Sequence, residues 1–310
     1  MLTIIGDVSV DLVLGPVDGW PAVGTELLME RSEFRPGGSG GNAALAARWL
    51  GARARVYSMV GGDPLGGWLS AQFGDLEACL SVSEAATSVS TGVIHSCGER
   101  TFFTTRGHLE RLSWADIRPH LQPAPSANSI ALLTGAFLLP RLRVDYSEIV
   151  AFLRDLGYGL AIDTGWPPGG WTDRTRAEAS RWIAACDHVL LNEVEITGLA
   201  GEPDLGRAMD ALSTLLRPGA TLVAKTGPKG AIGRQNGRAE THLAPPVAVF
   251  DTIGAGDSFN AGYLLSRQRG DGLQSALRAG CAAAAAIISR FPRQDIRPGE
   301  LADRGLLTEA

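Results

Sequence analysis

The chain has 310 residues, 45% hydrophobic and 20% charged, enough to bury a large core as one big α/β domain or two small ones. A net charge of −5 argues against a nucleic-acid binder working by general electrostatic attraction, and confines any anion site to a local pocket. Cys79, Cys97, Cys186 and Cys281 are far apart with no CxxC pair, so neither a zinc site nor a disulfide framework is suggested, and a reducing cytoplasm fits.

The first segment, MLTIIGDVSVDLVL, holds two acids and no basic leader, so it reads as a first strand rather than a signal peptide. Asp7 and Asp11 are expected at the end of that strand, where a carboxylate can accept from two vicinal hydroxyls. Surface solvation or a local turn would explain either acid equally simply. Residues 23–35 (VGTELLMERSEFR) are strand-like with no helix beside them.

Next comes RPGGSGGNAALAARWLGA, four glycines around Ser39 and then Asn42 opening an alanine-rich helix. Gly38, Gly40 and Ala43 satisfy a loose GxGxxA pattern, but no buried apolar strand precedes them and no acid follows at the required distance. A dinucleotide-binding fold is therefore not indicated, and the absence of GK[ST] removes a Walker loop. What remains is a loop that lets a polyhydroxylated ligand approach the backbone, with Asn42 able to donate and accept.

Beyond ARVYSMV, residues 88–105 (SVSTGVIHSCGERTFFTT) form a hairpin pattern turning at Cys97 to Arg100. With residues 23–35 it would make a small separate sheet, a natural lid. Arg106 and His108 follow, either as contacts to an acidic group on a ligand or as solvated side chains leaving a strand. The runs IALLTG, GLAIDT and DHVLLN alternate with helical YSEIVAFLRDL and ASRWIAA, the pattern of a parallel sheet covered by helices. Ligands of such sheets bind beyond the carboxyl ends of the strands. The apolar runs, such as IALLTGAFLLP, are too short to cross a bilayer.

In LLNEVEITGLA, Asn192 and Glu195 stand at i and i+3 on one helix face. Capping and the helix dipole would explain them, as would an oxygen pair holding Mg²⁺ through water. Of 28 basic residues only two are lysine, Lys225 and Lys229, both in AKTGPKGA after the apolar run TLVA. That is either coincidence or a compact point charge near a phosphate. A hairpin turning at Asn236-Gly237 and two helices across 256–290 complete the pattern. At the start of those helices, DTIGAGDSFNAGYL sets Asp257 directly after the small-residue turn Gly254, Ala255, Gly256. Asp257 is either the cap of that helix or a catalytic carboxylate.

Together GGSGGNAALAARWLGA, NEVE, KTGPKGA and DTIGAGDSFNAGYL resemble the ribokinase-like (PfkB) carbohydrate kinase family, in the family's order and across most of the chain. The last motif is the most specific. The resemblance implies a ribokinase-like three-layer α/β fold: a mostly parallel central sheet, helices on both faces, and a small β-sheet lid of about 10–35 and 86–107 inserted in a single domain, 1–310. It implies transfer of the γ-phosphate of ATP to a hydroxyl of a small monosaccharide, polyol or sugar acid. The alternatives are a nucleoside kinase of the same family and a non-catalytic sugar-binding regulator on this scaffold.

By the same resemblance, Asp257 is the catalytic base and Gly254, Ala255 and Gly256 form the anion hole, with Asp257 held ionised by the helix terminus. Asp11, Gly38, Ser39 and Asn42 would contact the acceptor, with Arg106 as a further candidate. Asn192, Lys225, Thr226, Gly227, Gly230 and Ala285 would line the nucleotide, and Glu195 would hold Mg²⁺ through water. A homodimer through the lid is implied, with no nucleic-acid or membrane partner. One departure is RFPRQDIRPGE, which does not match the small-residue loop through which relatives bind potassium, so no monovalent-cation requirement is expected.

Overall fold

The computed structural model describes residues 1–74, 76–290, 293, 297, 299 and 300. Among these residues nine strands form the main sheet: β1 (Leu2–Ile5), β4 (Ala54–Gly61), β5 (Glu77–Ser83), β8 (Ile130–Thr134), β9 (Gly159–Asp163), β10 (His188–Asn192), β11 (Thr221–Lys225), β12 (Ala231–Gln235) and β13 (Arg238–His242). Their order is β13-β12-β11-β10-β9-β8-β1-β4-β5, parallel from β11 through β5, with β12 and β13 added as an antiparallel hairpin. That hairpin turns at Asn236 (φ 52) and Gly237 (φ 74), both left-handed, as a two-residue turn matched to strand twist requires.

Strand side chains alternate between two apolar cores. Ile4, Leu132, Leu190 and Val223 face one core, shared with the helices α1 (Ser39–Trp49), α8 (Ala255–Gln268) and α9 (Leu273–Ile288). Ile5, Leu133, Leu191 and Leu222 face the other, under α4 (Tyr146–Asp155), α5 (Asp173–Ala184), α6 (Glu193–Ala200) and α7 (Leu205–Ser213). Short helices α2 (Pro64–Ala71) and α3 (Trp114–Ile117) complete the set. A period of two on strands buried on both faces gives this three-layer arrangement directly, each buried Leu or Ile contributing about 1.5–3 kcal/mol. Among the described residues no helix is long and apolar enough to cross a membrane.

A second sheet stands apart, in the order β3-β2-β6-β7, built from β2 (Ser9–Val17), β3 (Arg31–Gly37), β6 (Val89–His95) and β7 (Arg100–Thr104). It differs from expectation in two respects. Residues 23–30 are not strand; only the charged end of that segment, from Arg31, pairs with a neighbour. Asp11 does not end the first strand, because the chain breaks after Ile5 and Asp11 is the third residue of β2, across from Arg35. The edge strand β5 was also unexpected. The expected absence of a potassium loop falls largely on residues outside the described set, with Arg293 the informative exception.

Candidate active site

The carboxyl ends of β1, β9, β10 and β11 point toward the amino terminus of α8, where the polar side chains collect. Gly254 precedes α8 with φ +73, a left-handed conformation that costs glycine nothing and turns the chain sharply into the helix. Asp257 is therefore the third residue of the helix rather than its cap, and among the described residues no side chain caps this terminus. Among the described residues the amides of Gly256 and Asp257 donate to no acceptor, whereas Ala255 N bonds Thr252 O (3.2 Å) and Ser258 N bonds Gly254 O (3.0 Å). Open amides on a 14-residue helix form a local positive pole that suits an anion.

Asp257 Oδ2 accepts from Asn42 Nδ2 at 3.1 Å, joining the glycine-rich segment to this turn across 215 positions. The glycines of that segment make room for the protein's own chain. A methyl group on Gly37 would fall 2.1 Å from the Asp11 carboxylate, and one on Gly38, at φ +81, would fall 2.6 Å from the Asp7 carbonyl. Ser39 N donates to Asp7 Oδ2 (3.0 Å) and Gly41 N to Asp7 O (3.1 Å), so Asp7 fastens the start of α1 beside β1. Asp7 Oδ1 is buried with no partner among the described residues. The close packing at Gly37 and Gly38 brings Asp11, Ser39 and Asn42 to one edge of the turn.

On the other side Lys225, at the end of β11, donates to Asp163 Oδ2 (2.6 Å) and Asn260 Oδ1 (3.3 Å). Asn260 Nδ2 donates in turn to Asp163 Oδ2 at 2.6 Å. A methyl group on Gly256 would lie 3.4 Å from Lys225 Nζ, which places the ammonium beside the open amides. From sequence Asp163 ends one of the strand runs where a ligand is expected, but neither it nor Asn260 is assigned a role. The signals were present, since Asp163 ends GLAIDT and Asn260 is i+3 from Asp257 on one helix face.

Asn192 and Glu195 cap α6 reciprocally. Glu195 N donates to Asn192 Oδ1 (2.8 Å) and Asn192 N to Glu195 Oε2 (2.9 Å). Thr226 bonds the Gly230 carbonyl through both its amide and its hydroxyl (2.9 Å each), shaping the turn that follows Lys225, while Gly227 is exposed on it. Ala285 is buried in α9, with Ala282, Ala284 and Ala286 the more accessible members of the run. Arg106 is not brought into the cluster: its side chain is 85% exposed and pairs with Glu110 at 3.3 Å. His108 is a buried structural side chain, accepting from Ser88 N (2.9 Å) with its other nitrogen on Val8 O (2.9 Å).

The electrostatics correct one expectation. Burial, reinforced by the Asp163 charge, raises Asp257 well above the usual carboxylate range, outweighing Lys225 and the Asn42 hydrogen bond. The helix terminus does not keep its pKa low, and the ionised form is correspondingly more basic than an exposed carboxylate. Burial likewise lifts Glu195 to about 7, with Asp163 adding to the rise. It also lifts Asp11 to about 7 against the opposing charge of Arg35. For Lys225 burial disfavours the charge, but Asp163 and Glu195 outweigh it and its pKa is raised, so it is a cation at neutral pH.

Residues 1–297 match the family model described as pfkB family carbohydrate kinase. The chain is 27% identical over 236 residues to a fructokinase of Klebsiella pneumoniae, covering 74% of this chain and 76% of that protein. It is 26% identical over 292 residues to a nucleoside kinase of Methanothermobacter thermautotrophicus, covering 93% and 89%. Its fold is that of Arabidopsis thaliana ribokinase, solved with ribose and ATP, at a TM-score of 0.76, 19% identity, and 100% and 99% coverage. With the motifs in the family's order and the glycine segment meeting the α8 turn, the chain belongs to the pfkB family of carbohydrate kinases, phosphotransferases whose acceptor is an alcohol group.

Proposed function

We propose that this chain transfers the γ-phosphoryl group of ATP to a hydroxyl of a small monosaccharide, polyol or sugar acid. The observation that carries the reading is the junction at α8, where Asp257, the open amides of Gly256 and Asp257, and the Lys225 ammonium meet Asn42. The acceptor hydroxyl, oriented by Asn42 and Asp11, gives its proton to Asp257 as its oxygen bonds the γ-phosphorus. The bond from that phosphorus to the bridging oxygen breaks, and ADP leaves with the electron pair. In a loose transition state charge spreads over the phosphoryl oxygens, where the amides and Lys225 stabilise it without reorganising. Thr226, Gly227 and Gly230 form the turn beside Lys225 that would hold the nucleotide.

Mg²⁺, implied by the family, would neutralise phosphate charge when bound. Glu195 fits it as a partner through water, since its carboxylate is held through Oε2 by the Asn192 amide, within reach of the Lys225 and Asp163 charges. Among those residues no group of three or more His, Cys, Asp or Glu side chains is gathered for a metal, so phosphate oxygens and water would complete its shell.

The small sheet, 9–37 with 89–104, would close over the acceptor to exclude water, making 1–310 one domain with an inserted lid. It exposes Trp20, Phe102 and Phe103, apolar surface that supports pairing of two subunits through the lid; light scattering after gel filtration tests this. A second acceptor class, nucleosides, is favoured by the nearly full-length likeness to a nucleoside kinase. ADP release with MgATP against panels of sugars, sugar acids and nucleosides decides between them. Thermal stabilisation by a sugar without ADP release in any mixture would mark a binding protein instead.

A further inference from the structure

Directly before the α8 turn, residues 251–253 are gripped by a buried cluster of charges from separate parts of the chain. From β3, Arg35 donates to both Asp251 carboxylate oxygens (3.2 and 3.4 Å) and to Glu33 Oε2 (2.8 Å), while Arg31 reaches Asp251 Oδ2 at 3.5 Å. From beyond α9, Arg293 Nη2 donates to the Asp251 carbonyl (3.0 Å) and to Asp251 Oδ1 (2.7 Å), and Nη1 donates to the Ile253 carbonyl. The Arg293 amide donates to Glu33 Oε1 at 3.3 Å. The Arg35, Glu33, Asp251 and Arg293 side chains are all at most 5% exposed. Of the Arg293 nitrogens, Nε alone lacks a partner among the described residues.

Two carbonyl oxygens and a carboxylate converging on one point form a donor set for a hard cation, because their negative ends repel unless a positive charge sits between them. Here a guanidinium fills the position. We propose that Arg293 is a tethered cation that fixes the 251–253 carbonyls, and through them the Gly254 turn and its open amides, so that phosphoryl transfer needs no free monovalent ion. The inference rests on the phosphotransfer reading above. Arg293 acts as a positioning residue. The Ile253 carbonyl that it holds shares one rigid peptide plane with the Gly254 N–H, so fixing the first orients the second. The other side of the turn is tied as well, by Ile253 N donating to Asp251 Oδ1 at 2.9 Å. Burial and the neighbouring Arg35 lower Arg293 to about 10, which leaves it charged at neutral pH.

The test compares turnover in potassium, sodium and tetramethylammonium chlorides at one ionic strength. The wild type should vary by less than about twofold, whereas Arg293→Met should lose roughly 100-fold in tetramethylammonium, chiefly in kcat, because the amides are misplaced. Potassium or a few millimolar guanidinium should restore at least about tenfold by refilling the position, and should raise the melting temperature of Arg293→Met but not of the wild type. Wild-type turnover that requires potassium overturns the inference, as does an Arg293→Met enzyme that is fully active in tetramethylammonium. The wild-type salt series needs no variant, so it decides even if Arg293→Met fails to fold. Absence of turnover in every salt and with every acceptor would refute the kinase reading instead, and the melting response of Arg293→Met to cations would then decide the tethered cation alone.

Discussion

Replacing Asp257 by Asn separates proton transfer from packing. The amide is the same size, and its oxygen can accept the Asn42 hydrogen bond that the carboxylate now takes at 3.1 Å, but it cannot take a proton from an alcohol. Loss of a general base costs about 10²–10⁴-fold in kcat, roughly 3–5 kcal/mol of barrier. Stability should move the other way. Burial raises Asp257 in the folded protein above its ordinary 3.8, so ionising it opposes folding once the pH exceeds the unfolded value. Asn removes that cost, and the variant should melt no lower than the wild type at pH 8, with the difference shrinking as the pH falls toward about 4. ADP release and thermal scans at the two pH values read both effects. A kcat within tenfold of the wild type would refute the assigned base. A variant less stable at pH 8, by a gap that persists at low pH, would refute the burial argument.

Further outcomes follow from the same geometry. Glu195 is lifted by burial to about 7, so its folded form holds a proton that the unfolded chain gives up earlier; relative to Glu195→Gln, wild-type stability should fall as the pH rises from about 4.5 to about 7, by roughly 3 kcal/mol in urea titrations. A difference that grows in the opposite direction would contradict the assigned shift. Gly38→Ala, at φ +81 with its methyl 2.6 Å from the Asp7 carbonyl, should cost about 1–3 kcal/mol and raise KM for the acceptor, read by denaturation and steady-state kinetics. Lys225→Met leaves Asp163 buried without its cation and should destabilise by about 3–5 kcal/mol; the double variant with Asp163→Asn should recover most of this in a double-mutant cycle.

How far the sequence revealed this depended on the range over which each signal acts. Parallel strands such as β8 and β10 are buried on both faces and carry continuous apolar runs, so IALLTG and DHVLLN announced themselves. Strand β5, EACLSVS, lies at an edge and half-exposed, and gave no such run. The segment 23–30 is apolar enough to look like a strand, but among the described residues no neighbour supplies a ladder, and composition cannot show a missing partner. Asp257, Asn42 and Lys225 were legible because local glycine and lysine patterns marked them. Asp163 was legible only as the end of a strand run and Arg293 not at all, since the partners that give them a role lie 62 and 42 positions away.

The charged fastening of β3 also bears on how the small sheet can open. Arg31 and Arg35 bond Asp251, and Glu33 bonds Arg35 and the Arg293 amide, so β3 is fastened along most of its length and the sheet cannot swing as a rigid flap without stripping buried ions of their counterparts. Arg100 at the start of β7 is tied to the same segment, its Nη1 donating to Thr252 Oγ1 at 2.6 Å, so flexing is left to residues 18–30 and the turn at Cys97 to Glu99. The sheet would then behave as a leaf spring bolted along β3 and at Arg100, admitting small molecules by bending at its loops while the bolted strands keep the reaction centre in register.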